Sequence, residues 1–159
     1  MSSIQEVVDV WQTYTATIDD WQALTDGVEP KPSGCGPIYE LPNPIPGRPN
    51  EDFCIADMRS LEVAEPHFHP EGVTEIYFVL SGLGKIVVGT VENDVEPGSV
   101  VVIPQNTAHY TIPGRNLVLA VVNTPPFLQE HYIPLRSSNP AVQFDKSRLA
   151  ELVATAHAS

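Results

Sequence analysis

Between Phe53 and Asn123 the chain alternates short, β-branched apolar runs with breaks at Gly, Pro and Asn, a rhythm that predicts an all-β core. The runs are Phe53 to Val63, Glu75 to Leu80, Lys85 to Val91, Ser99 to Ile103, His109 to Ile112 and Leu117 to Val122. Many short strands at regular spacing predict a sandwich or barrel. Val100-Val101-Val102-Ile103 and Val118 through Val122 are apolar at successive positions, so protein should cover both faces of these strands. A double-sheet barrel, with or without a second copy, would supply that cover.

The flanks follow other periods. Ser3 and Glu6 fit a capping box, and Ile4, Val7, Val8 and Trp11 fall on one helical stripe, which predicts a short amphipathic helix within residues 1–28. Prolines at 30, 32, 37, 42, 44, 46 and 49 exclude helix and central strand from residues 29–50. That arm is expected to pack on the body through Ile38, Tyr39, Leu41 and Ile45. After a core over 51–124, an extension over 125–159 ends in a helix that Asp145 can cap, with Leu149, Leu152 and Val153 on one side. The whole of 1–159 is expected to be one domain.

Charge narrows the partners. Eight Lys and Arg stand against 20 Asp and Glu, a formal net charge of -12 that repels phosphate backbones and anionic membranes. Nucleic acid and membrane are therefore not expected as partners. Cys35 and Cys54 form neither a disulfide framework nor a Cys-x-x-Cys pair, and are expected to be free thiols. No basic and apolar leader precedes the first elements and no apolar run reaches about 18 residues, so a cytoplasmic location is expected.

Candidate chemistry centres on His67-Phe68-His69. Two histidines one residue apart face the same way on a strand, where side chains alternate, and diverge on a helix. Glu75 starts the next run and His109 starts another, so four donors could meet around one divalent ion. Three imidazoles and a carboxylate suit Fe, Mn, Ni, Co or Zn better than Mg or Ca. A lone histidine is more often a packed core residue; the joint pattern favours metal, because a carboxylate inside a barrel needs a counter-charge. Glu71 is the competing acid.

His67-Phe-His69-Pro-Glu-Gly-Val-Thr-Glu75-Ile-Tyr-Phe-Val-Leu-Ser-Gly82 resembles the first motif of the cupin superfamily, and Gly98-Ser-Val-Val-Val-Ile-Pro104-Gln-Asn-Thr-Ala-His109 resembles the second. The resemblance implies a double-stranded β-helix, or jelly-roll barrel, with one metal held by His67, His69, Glu75 and His109. It covers residues 61 to 116 most clearly. Five residues lie between His69 and Glu75 where the family has three or four, Leu61 and Asn106 replace glycines, and Pro113 stands where an asparagine closes the second motif. Glu75 keeps the family's six-residue spacing to Gly82, which favours it over Glu71 as the ligand.

Parity from Glu75 turns Tyr77 and Val79 inward and Ile76, Phe78 and Leu80 outward, while Thr111 has inward parity beside His109. Tyr77 is a candidate to orient substrate or carry a proton, and Glu71 a candidate general base; packing and a solvated turn are their plainer roles. Arg59 is expected in a surface ion pair, Gln105-Asn106 in a turn presenting His109, and Gly82-Leu-Gly84 in a hairpin turn. The family hosts dioxygenases, isomerases, lyases and binding proteins. A retained ligand set in a narrow apolar barrel favours a dioxygenase acting on a small chelating substrate, with an isomerase or lyase, or a non-catalytic binding module, as alternatives. A homodimer is expected, as is common in the family.

Overall fold

The computed structural model describes residues 21–41, 53–135 and 142–156. The expected helix around Ile4 to Trp11 and the anchor Ile45 lie outside the described residues. Among the described residues, ten strands form two five-stranded antiparallel sheets in a jelly-roll arrangement. In the first sheet β1 (Ile38–Glu40), β2 (Phe53–Asp57), β9 (Val118–Thr124), β4 (Thr74–Ser81) and β7 (Val100–Ile103) lie in that order. The second runs β10 (Ile133–Pro134), β3 (His67–Phe68), β8 (His109–Pro113), β5 (Gly84–Val88) and β6 (Val91–Val95).

Apolar residues at inward parity fill the space between the sheets. Tyr77, Val79, Ile86, Ile103, Leu119 and Val121 belong to one buried cluster there. Inward and outward positions on β4 follow the expected parity, with Tyr77 and Val79 in this core and Phe78 exposed. Leu80 is buried too, because the outer face of the first sheet is partly covered: Trp21 of α1 (Trp21–Thr25) and Leu41 pack there on Ile55, Val118 and Ala120. On the outer face of the second sheet lies α2 (Lys146–Ala156), whose Leu152 packs on Val87, Tyr110 and Ile112. Asp145 caps α2 as expected, its carboxylate accepting from the amides of Ser147 and Arg148 at 3.0 Å each.

Several boundaries differ from the sequence expectation, each for a local reason. The strand expected over Phe53 to Val63 ends at Asp57, whose carboxylate accepts hydrogen bonds from the Arg59 amide (3.1 Å) and guanidinium (2.8 and 2.6 Å) and turns the chain. Arg59 is thus in the expected ion pair, with its guanidinium 5.1 Å from the Trp21 ring. The run expected over Lys85 to Val91 is a hairpin: Val88 pairs with Val91 around Gly89-Thr90, and Gly89 takes φ 61°. Its second strand, β6, has three polar residues at its centre and so carried no apolar signal.

Gly82-Leu83-Gly84 is not a hairpin turn, because β4 and β5 belong to different sheets. The chain crosses between sheets here, with Gly82 at φ 78° and its backbone so near Asn116 that an added Cβ would lie 2.2 Å from that carbonyl. The proline arm packs where it is described, with β1 pairing on the edge of β2. Strand β9 is covered on both faces as expected, whereas Val100 and Val102 of the edge strand β7 are each 55% exposed. Cover on both faces of β7 is therefore not provided within the described chain.

This packing predicts unequal costs. Leu119→Ala, at a site with no exposure, should lower the unfolding free energy by about 2–5 kcal/mol. Val102→Thr, on the open face of β7, should change it by less than about 0.5 kcal/mol. Urea denaturation of the two variants measures both.

Candidate metal centre

The jelly roll brings the predicted donors together from both sheets. His67 on β3 pairs directly with His109 on β8, and Glu75 on β4 faces them from the other sheet. His69 follows the end of β3. All four side chains are buried, and one donor atom from each lies within 4.8 Å of the others. The Glu75 carboxylate stands 3.0 Å from His69 Nε2 and 3.3 Å from His109 Nε2.

Backbone carbonyls set the orientation of all three rings. His67 Nδ1 donates to the carbonyl of Glu65 at 2.8 Å, His69 Nδ1 to that of His131 at 2.8 Å, and His109 Nδ1 to that of Thr107 at 3.1 Å. A carbonyl can only accept, so each Nδ1 carries a proton and each Nε2 faces the interior, where it can bind an ion or, without one, share a proton with Glu75. His109 Nε2 is buried without a hydrogen-bond partner. An orphaned ring nitrogen beside a buried carboxylate and two further Nε2 atoms is the donor set of a transition-metal site.

Electrostatics agree with this arrangement. Burial alone would raise the Glu75 carboxyl, but the facing imidazoles of His109 and His69 outweigh it and hold the acid well below its ordinary range. Burial, with His109 nearby, pushes His67 well below the ordinary histidine value and keeps it neutral. Burial also opposes a charge on His69, yet Glu75 and the His131 carbonyl together raise it. Without an ion, a proton at His69 would balance Glu75; an ion at the same place would replace it.

Beside the cluster lies a cavity of about 250 Å³. Ala56, Met58, Val121 and Phe127 make its apolar wall, and Tyr77, Asn123, Cys35 and Cys54 also face it. Tyr77 meets the inward expectation and stands with its ring 6.3 Å from that of His109. Burial first, then the Glu75 charge, pushes its phenol well above the ordinary value, so it stays protonated. Glu71 does not reach the cavity: it is exposed on the turn after Pro70. The expected turn at Gln105-Asn106 is present, with Asn106 at φ 54°, its amide donating to the His69 carbonyl at 2.7 Å, and the Gln105 side chain accepting from the Gly72 amide. A larger groove of about 780 Å³ lies outside the sandwich between β5 and α2, away from the histidines.

The segment after β9 supplies support that sequence reasoning did not find. Tyr132 stacks on His67 with ring centroids 4.2 Å apart, and its hydroxyl donates to the Glu65 carboxylate at 2.8 Å. His131 contributes its backbone carbonyl to His69, a role that no side-chain pattern could reveal. Asn123 had a readable signal: it is the polar residue at the inward parity shared by Leu119 and Val121.

Two antiparallel sheets enclosing a buried three-histidine, one-glutamate cluster define a class: a double-stranded β-helix whose interior fits a divalent metal. A family profile for the cupin domain matches residues 57–117, which hold all four donors. Over that stretch the chain is similar to the cupin domain, and the jelly-roll arrangement of its sheets agrees with that likeness. Among solved structures it is similar to Pac13, a nucleoside dehydratase from Streptomyces, at 15% identity and a TM-score of 0.53 over 72% of this chain and 90% of that one. It is similar to a predicted oxalate decarboxylase from Thermotoga maritima at 17% identity and TM-score 0.50, over 62% and 92% of the two chains. A protein from Planctomyces limnophilus matches at 18% identity and TM-score 0.55, over 69% and 91%. No protein of curated function matches the sequence significantly.

Two outcomes follow. Protein purified without added ions should carry about one transition-metal ion per chain by elemental analysis; Glu75→Gln should lose it, and Tyr132→Ala should weaken metal affinity about tenfold by freeing the His67 ring. The thiols give a pH test, because burial, followed by the Glu75 charge, pushes Cys54 up to about 12 and raises Cys35 likewise. Unfolded thiols ionise above about pH 8.5 while these stay protonated, so the stability contribution is full below that pH and is lost as pH rises toward 12. Iodoacetamide near pH 8.5 should leave both thiols unlabelled in native protein and label both in denaturant, and the melting temperature should fall as pH is raised further.

Proposed function

We propose that this protein is a metal-dependent dioxygenase-type oxidoreductase acting on a small, metal-chelating molecule. The observation that carries the reading is the convergence of three oriented imidazole Nε2 atoms and Glu75 at the wall of a small, largely apolar cavity. An ion held by His67, His69, Glu75 and His109 would supply binding and activation of substrate and dioxygen. The chain's own part is to hold the rings through the carbonyls of Glu65, Thr107 and His131, and to limit water with Ala56, Met58, Val121 and Phe127.

The carboxylates present favour oxidation over base-driven chemistry. Among the described cavity residues the acids are Glu75, committed to the histidines, and Glu40, which accepts from exposed Lys31. Glu71 is exposed and does not line the cavity, so it takes no part. A second reading, proton transfer in an isomerase or lyase, is favoured by Tyr77, a protonated phenol next to Glu75. The dehydratase and the predicted decarboxylase of the same fold are in keeping with it.

Oxygen-electrode assays on Fe(II)-loaded protein with a panel of enolisable and phenolic chelators decide between the readings. Oxygen uptake with a panel member is the expected result; product formed at the same rate without oxygen would replace this reading with the second. Tyr77→Phe sharpens the choice, since loss of an essential proton carrier costs about 10²–10⁴ in rate. A loss below about tenfold is expected here.

A further inference from the structure

We infer that Asn123 selects the ligand of this cavity, accepting a hydrogen bond from an O–H or N–H group that sits next to the ligand's metal-binding oxygen. This rests on the metal reading above and adds the chemical class of the ligand. Asn123 is 95% buried, at 5% exposure, and its Oδ1 is buried without any hydrogen-bond partner. Burying an amide oxygen unpaired is costly, and such atoms in folded proteins await a partner.

Its position says what that partner is. Asn123 pairs directly with Glu75 across β9 and β4, so the two side chains are neighbours on the inward face. It also lines the same cavity. A molecule that reached the histidine cluster with one oxygen would bring its adjacent atom within range of Asn123, and only a donor there satisfies Oδ1. The cavity offers no unpaired cation of its own among the described residues, since Lys31 is tied to Glu40. Recognition beyond the metal therefore comes from hydrogen bonding and apolar contact rather than from charge. At about 250 Å³ the space suits a ligand smaller than the drug-sized molecules that fill about 300–1,000 Å³. The class is a small hydroxy acid, hydroxy ketone, enol or hydroxamate.

Matched chelators with and without the donor test this. Protein loaded with Co(II) is titrated with glycolate and with methoxyacetate, and with acetohydroxamate and its N-methyl derivative, following the visible Co(II) spectrum. The donor-bearing member of at least one pair should bind about tenfold or more tightly. Asn123→Leu, which removes the acceptor at similar volume, should abolish that preference while cobalt content stays unchanged. Wild-type protein that takes up cobalt but binds both members equally, or binds neither, overturns the inference, as does a preference that survives in Asn123→Leu. Wild-type protein that takes up no metal overturns the metal reading instead, and the two failures are told apart by elemental analysis. The wild-type comparison stands even where the variant does not fold.

Discussion

A carboxylate inside an apolar sandwich is the constraint on which the rest of this structure depends. Glu75 is only 5% exposed, and a buried unpaired carboxylate is too costly for a fold of ordinary stability. Its neighbours answer that cost. His69 and His109 stand within 3.3 Å of it, and His67 packs against His109 with ring centroids 4.1 Å apart. Yet the rings cannot all be charged, because burial and mutual repulsion keep His67 neutral. One cation shared among four donors satisfies the acid and every Nε2 lone pair at once, which separate protons cannot.

That demand explains why parts of the chain far apart in sequence are fixed together. The carbonyls that orient the rings belong to Glu65 before β3, Thr107 before β8 and His131 beyond β9. The last lies outside the stretch matched by the cupin profile, so the C-terminal extension completes the centre rather than decorating it. Tyr132 ties the same pieces a second time: its ring lies on His67 and its hydroxyl holds the side chain of Glu65, whose carbonyl orients that histidine. The left-handed Asn106 serves the same end, its amide holding the His69 carbonyl at 2.7 Å.

The core strands and the four donors were legible because two periodicities coincided. Alternation turned Glu75, Tyr77 and Val79 inward on one strand, and the spacing of His67 and His69 matched a strand and not a helix. What was not legible had no side-chain signature. Strand β6 is polar at its centre, β10 has two residues, and the Gly82 crossing has the same turn residues as a hairpin. Tyr132 and the His131 carbonyl act through tertiary contacts more than 60 residues from their partners. Glu71 shows the converse: close in sequence to the donors, it is exposed on the turn after Pro70, while Val73 of the same loop is the residue turned inward.

Around Glu75 the interior is polarised in hydrogen-bonding terms as well as in charge. Tyr77, two residues along β4, is a donor held protonated by burial, whereas Asn123, opposite Glu75 on β9, offers an unpaired acceptor. Ligand groups next to the cluster therefore meet a donor on one side and an acceptor on the other, with apolar walls at Met58 and Val121. Such a pair would read the orientation of a small polar molecule without reading its charge. In a chain of net charge -12, whose long-range field repels anions, that division would leave attraction of a negative oxygen to an ion held by the four donors and discrimination to short-range contacts.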